Sequence, residues 1–165
     1  MSEPRAKLGR GTKHQNTMKT YKAKTKLYEL RKTDTDFPKV KITSSKDAEQ
    51  FVRQFYHGDI GIYESFFILL LNRANNTIGF AKISQGGVSG TVVDVKIILK
   101  YVVDDLASHV ILCHNHPSGT LKPSGADIKI TKKVREALSL LDSELLDHLI
   151  LTEDSYYSMA DNRDI

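Results

Sequence analysis

An α/β layered domain built on a mixed sheet is what this sequence predicts, and three observations predict it. From Lys39 onward, segments patterned as strands alternate with segments of helical periodicity. The run Ser65-Phe66-Phe67-Ile68-Leu69-Leu70-Leu71 is almost wholly apolar, which suits a central strand buried on both faces. The last two strand-like segments lie too close together for a crossover, so they read as a hairpin and the sheet is not all parallel.

The elements follow in order. Lys39-Val40-Lys41-Ile42 alternates with a period of two and reads as a short strand, so the ordered domain is expected to begin between residues 27 and 40. Ser45 is placed to cap a helix through about residue 56, with Ala48, Phe51, Val52 and Phe55 as its apolar stripe and His57-Gly58-Asp59 as its end. Glu64 opens the central strand. Asn75-Asn76 marks a turn into residues 77–84, the paired strand of a hairpin. Gly86, Gly87 and Gly90 make a flexible connection. Asp94 is placed to cap a helix to about residue 106, with Val95, Ile98, Leu99, Val102, Val103 and Leu106 at helical spacing. The strand His109-Val110-Ile111-Leu112-Cys113 then runs into His114-Asn115-His116-Pro117. After a loop with Gly119 and Pro123, Ser124 caps a long amphipathic helix to about residue 141. Its stripe is Ile128, Ile130, Thr131, Val134, Ala137, Leu138 and Leu141. Residues 145–151 and 156–159 are the closing strands.

Charge divides the chain. Residues 1–32 hold ten Lys/Arg against Glu3 and Glu29, a balance of +8, while the other 133 residues hold fourteen against eighteen Asp/Glu, a balance of −4. The first segment has few large apolar groups to bury, so it is expected to be a disordered basic leader ahead of a domain at 33–165. Clustered Lys/Arg can displace counterions from phosphates, which gives the leader a non-specific nucleic-acid contact as one reading. A solvated leader without a partner is the other. No apolar run approaches the roughly 18 residues of a membrane helix, so no membrane partner is expected. The N-terminus lacks the apolar core of a secretory signal. Cys113 is the single cysteine, which excludes an internal disulfide and fits a reducing, cytoplasmic setting.

The chemistry concentrates in His114-x-His116-x7-Ser124-x2-Asp127. Two histidines one residue apart at a strand end point to the same side, so both imidazoles can reach one ion. Asp127, in the first turn of the next helix, can complete three ligands. A catalytic zinc takes three protein ligands and leaves a fourth position to water, whose pKa it lowers to about 7. Glu64 is the best-placed base, because it precedes the strand expected to lie beside the histidine strand. Each piece also has a plainer account. Ser124-Gly125-Ala126-Asp127 matches a helix capping box, and the histidines alone suit a polar turn. The accounts are compatible, since a carboxylate at a helix N-terminus can also ligate metal. His148, with Asp147, either supports a ligand imidazole from behind or is a strand residue facing solvent, the commoner case for a lone histidine. Cys113 points away from His114 and reads as core. Tyr156 and Tyr157 read as sheet residues. His114-Asn115-His116 spells the letters of the HNH nucleases, but that motif is spread over separate elements and three adjacent residues do not make it.

The upstream Glu with His-x-His-x7-Ser-x2-Asp resembles the JAB/JAMM metallopeptidases. The text Val110-Ile111-Leu112-Cys113-His114-Asn115-His116-Pro117-Ser118-Gly119 with Pro123-Ser124 resembles the RadC-like branch of that superfamily. So do Glu64-Ser65-Phe66, Leu146-Asp147-His148-Leu149-Ile150 and Tyr157-Ser158, over about residues 40–160. The resemblance implies a JAB/JAMM-type, cytidine-deaminase-like mixed sheet flanked by helices. It implies His114, His116 and Asp127 as Zn2+ ligands, Glu64 as the acid/base, and Ser124 as a support for the oxyanion. A peptide or protein substrate follows, with hydrolysis of an amide or isopeptide bond. The DNA-repair label attached to RadC-like proteins gives a second expectation, an accessory protein with a mainly structural metal. Longer family members carry a helix-hairpin-helix domain where this sequence has its basic leader. A phosphoester hydrolase is disfavoured, because one His2Asp ion lacks the extra carboxylates of a two-metal site.

Overall fold

The continuous apolar run becomes the centre of a three-layer arrangement. The structure, a computed structural model, describes residues 32–56, 58–87 and 92–165. The expected leader, apart from Lys32, lies outside them, as do His57 and Gly90. The described residues form helices α1 (Ser45–Val52), α2 (Val95–Asp105) and α3 (Gly125–Ser139), and strands β1 (Ser65–Leu71), β2 (Thr77–Gln85), β3 (His109–Asn115), β4 (Glu144–Leu151) and β5 (Tyr156–Ser158). The sheet order is β2-β1-β3-β4-β5, with β3 and β4 parallel and every other neighbouring pair antiparallel. This is the mixed sheet of the α/β class, as the sequence predicts. None of the described helices is long and apolar enough to cross a membrane.

Strand alternation explains why β1 has no polar side. Phe67, Leu69 and Leu71 pack with Ala48, Phe51 and Val52 of α1, while Phe66, Ile68 and Leu70 pack with Ile98 and Val102 of α2 and Val134 and Leu138 of α3. β3 divides in the same way. Ile111 and Cys113 face the α1 layer, and Val110 and Leu112 face α2 and α3. His114 therefore points toward α3 and Asn115 toward α1. That parity sets the site.

Several boundaries differ from the sequence reading. Residues 39–42 form no strand; Lys41 makes a single bridge to Asn76. The segment wraps the end of the β1–β2 hairpin instead, with Thr77 N donating to Val40 O and Ile42 N to Asn75 O. Ser44, not Ser45, caps α1 by accepting from Asp47 N. The Ser45 hydroxyl instead reaches Asp161 Oδ2 at 2.5 Å. The α1 helix closes with a 3-10 turn at Arg53–Phe55. At the end of α2, Leu106 turns left-handed (φ 49°) and leaves the buried stripe, while Val103 lies on the exposed side of the helix. Similarly α3 stops at Ser139, leaving Leu141 outside the helix, and Ile128 lies on its exposed side.

Candidate metal centre

The β1–β3 register sets Phe66 opposite His114, and the two rings lie nearly parallel with centroids 5.7 Å apart. His114 is the penultimate residue of β3. His116 lies just beyond the strand, its amide continuing the parallel pairing by donating to Leu151 O at 2.8 Å. The chain then reverses at Gly119, whose φ of +78° is a conformation glycine adopts without strain. It enters α3 through Ser124. Here a capping box closes: Ser124 Oγ accepts from Asp127 N at 3.2 Å, and Asp127 Oδ2 accepts from Ser124 N at 2.7 Å.

That box aims the Asp127 carboxylate at the histidines. His114 Nε2 is 2.9 Å from His116 Nε2 and 3.2 Å from Asp127 Oδ1, and His116 Nε2 is 3.6 Å from Asp127 Oδ2. Zinc bonds of about 2.0–2.1 Å in tetrahedral array put ligand atoms about 3.3 Å apart. Taking one atom from each residue, the three donors lie within 4.8 Å of one another, so the residues fit a single divalent ion. Their electrostatics agree. Burial raises the Asp127 carboxyl, but His114 and His116 beside it outweigh that effect and hold the group far below the usual carboxylate range. The Asp127 carboxylate in turn raises His116 above its ordinary value, against the effect of burial. Two unprotonated Nε2 atoms at 2.9 Å would repel, so without an ion one proton occupies the contact. The imidazole of His116 also meets Thr120 O through Nδ1 at 2.6 Å. A carbonyl carries no proton, so Nδ1 donates, and Nε2 is the nitrogen that would turn its lone pair to a metal once the proton of the contact leaves.

His116 and Asp127 open on a cleft of about 880 Å³ that is also lined by Glu64, Phe66, Val92, Val93, Lys122 and Ser124, and the buried His114 lies against both of them. The five residues singled out in the sequence thus meet at one place. Residues 42–164 match the family model described as a RadC-like JAB domain. The chain belongs to that family. Among curated proteins it is 49% identical over 121 residues to a UPF0758 protein of Flavobacterium johnsoniae, covering 73% of this chain and 52% of that protein. A UPF0758 protein of Porphyromonas gingivalis is 48% identical over 99 residues (59% and 44%), and one of Coprothermobacter proteolyticus 38% over 122 residues (73% and 52%). The chain spans about half the length of the curated relatives it matches.

Two polar residues of this RadC-like domain escaped the sequence reading. Asn115, fully buried, accepts from Ser65 N at 2.8 Å and donates to Ile60 O at 2.6 Å and Tyr63 O at 2.8 Å. It therefore clamps the chain on both sides of Glu64, whose own carbonyl accepts from Gly86 N. Thr131, read as part of an apolar stripe, sits one turn after Asp127 and hydrogen-bonds its carbonyl.

The solvent-facing reading of His148 is overturned. In the β3–β4 register it pairs with Leu112, so it points inward toward α3 and is fully buried. Its Nε2 lies 2.8 Å from His114 Nδ1 and its Nδ1 2.6 Å from Thr131 Oγ1. Burial, with His114 adding to it, pushes the imidazole well below its ordinary pKa and keeps it neutral. Asp147 points the other way. It accepts from Ser158 Oγ and Ala160 N, which fastens the C-terminal turn, and meets His148 only at its main-chain amide. Cys113 is buried in the α1-facing core, as expected, and burial raises its thiol.

Proposed function

We propose that this domain is a zinc-dependent hydrolase of peptide or isopeptide bonds. One observation carries the reading: three converging donors, two of them on the wall of a cleft that also holds a carboxylate, Glu64. Two imidazoles and one carboxylate are a donor set that suits zinc. A structural zinc is closed by four protein ligands, whereas three leave a position for catalysis. The ion, when bound, supplies a polarised carbonyl and water acidic enough to attack near neutral pH. Glu64 then takes the proton of the attacking water and returns it to the leaving amine, and Asn115 holds its backbone for that transfer. Ser124 spends its lone pair on Asp127 N, so its hydroxyl proton is free for the substrate oxygen. A cleft of about 880 Å³ accommodates several residues of an extended chain, and its apolar wall of Phe66, Val92 and Val93 suits a peptide side chain.

The test is an unbiased screen of peptides and isopeptide-linked substrates with zinc-loaded wild type and Glu64→Gln in parallel. Cleavage by the first and not the second supports the reading. Equal background from both, with zinc demonstrably bound, would end it.

A second reading, a nucleic-acid-associated role, is favoured by the +8 balance of residues 1–32. It places phosphate contact in the leader and leaves the cleft to its own chemistry. The lone, buried cysteine supports a cytoplasmic setting for either role.

A further inference from the structure

His148 has no part in the chemistry just described, yet it is a fully buried polar group directly behind the metal centre. Three contacts run from it in a line. His114 Nδ1 lies 2.8 Å from His148 Nε2, His148 Nδ1 lies 2.6 Å from Thr131 Oγ1, and Thr131 Oγ1 lies 2.5 Å from the main-chain oxygen of Asp127. Proton counting gives the line a direction. A carbonyl has no proton, so two oxygens this close need the Thr131 hydroxyl to donate to Asp127. The hydroxyl proton is then used, and His148 Nδ1 must donate to Thr131. His148 is fully buried and neither of its ring nitrogens meets a carboxylate, so it carries one N–H only, and its bare Nε2 accepts from His114 Nδ1–H. It follows that His114 Nε2 carries its lone pair, on the side where Asp127 Oδ1 and His116 Nε2 converge.

We propose that His148 and Thr131 form a neutral relay that presets the tautomer of His114 and ties it to the main chain of Asp127, so that two ligands are oriented together before a divalent cation arrives. Ligand histidines usually donate to a carboxylate or a main-chain carbonyl. His116 does so at Thr120, but His114 donates to a second imidazole that adds no charge of its own. His114, His148, Thr131 and the Asp127 carbonyl are joined by hydrogen bonds, and the Asp127 carboxylate stands 3.2 Å from the bare His114 Nε2, leaving a cation to close the loop. His148 is thus a positioning residue, and this inference rests on His114, His116 and Asp127 being the metal ligands.

The test is zinc competition against a chromogenic chelator, using the full chain, with 15N NMR of the histidine rings. His148→Leu fills the space but breaks the relay, and should weaken zinc binding by about 10- to 100-fold. His148→Gln offers an acceptor and a donor in similar places and should recover most of the loss, which a purely space-filling role would not explain. Thr131→Val should weaken binding as well, and should add little on top of His148→Leu, because both cut one path. In the zinc-free wild type, the neutral His114 ring should carry its proton on Nδ1. A wild-type His114 protonated at Nε2 instead, or a folded His148→Leu with unchanged affinity, overturns the proposal. So does a folded His148→Gln as weak as the Leu variant. If His148→Leu does not fold, Thr131→Val and His148→Gln still decide. If the wild type binds no zinc, the metal-centre reading fails by itself, and the tautomer measurement still judges the relay.

Discussion

Asn115 holds the main-chain amide of Ser65 at 2.8 Å from the neighbouring strand, and so fixes the residue before it, Glu64. Its other two bonds require donors, which only a carboxamide of this length provides. Asn115→Asp would face two carbonyls with a carboxylate. We expect a loss of about 2–3 kcal/mol, as for buried polar groups stripped of partners, with zinc stoichiometry unchanged because β1 and β4 still hold β3. Urea unfolding with metal analysis measures both. An Asp variant as stable as the parent would show that the loop before Glu64 is held by other means.

One zinc per chain is the expected stoichiometry, and His116→Ala should remove most of it, since two protein ligands hold zinc far more weakly than three. Elemental analysis after gel filtration provides the number. Undiminished zinc in that variant would place the ion elsewhere.

Glu64→Gln should retain zinc and melting behaviour yet lower hydrolysis by about 10²–10⁴-fold, the usual worth of a general base. The amide is nearly the same size but cannot accept the proton. Full turnover by the variant on any substrate found would remove Glu64 from that role.

The buried Glu49 ties the first helix to the far end of the sheet. It meets Lys46 at 2.8 Å and Arg53 at 2.5 Å, and Arg53 also donates to Thr152 O, Glu153 O and Ser155 O. Burial raises the Glu49 carboxyl, but the hydrogen bonds and charges of Lys46 and Arg53 prevail and hold it below its ordinary value. A native pKa below the unfolded one, about 4.3, means the stabilisation is complete above that pH and is lost as pH falls through the native value. Glu49→Gln should therefore flatten the decline in melting temperature between neutral and acid pH. Parallel pH curves for variant and parent would contradict this.

Removing residues 1–32 tests the leader. If it supplies nucleic-acid affinity, the full chain binds DNA weakly, without sequence preference and with steep salt dependence. The truncated chain, with its balance of −4, should not bind. Anisotropy titrations at two salt concentrations decide it, and equal affinity of both forms would assign binding to the folded surface.

Local patterns made most of this readable from sequence. The seven-residue run of β1 needed no context, because a strand without a polar face has only one place in a layered fold. His114, His116, Ser124 and Asp127 were legible because strand parity and a capping box operate within a few residues. His148 was not, because its surroundings come from the register of β3 on β4 and the approach of α3, none of which is local. Two traces of it were present. His148 alternates in phase with the buried Ile150, and Thr131 lies one helical turn after Asp127 on a face otherwise apolar. The segment at 39–42 misled in the opposite sense: its alternation is genuine, but it meets only the end of a hairpin.

The capping box has a consequence for how such sequences drift. Asp127 serves α3 whether or not an ion is present, with a cap worth about 1 kcal/mol. A descendant that abandoned the metal would still be selected to keep Ser124 and Asp127. His148 has no such second employment, since an imidazole sealed in the interior without a ligand to orient only weakens the fold. Loss of His148, ahead of any change at Asp127, is the first mark such a lineage would carry.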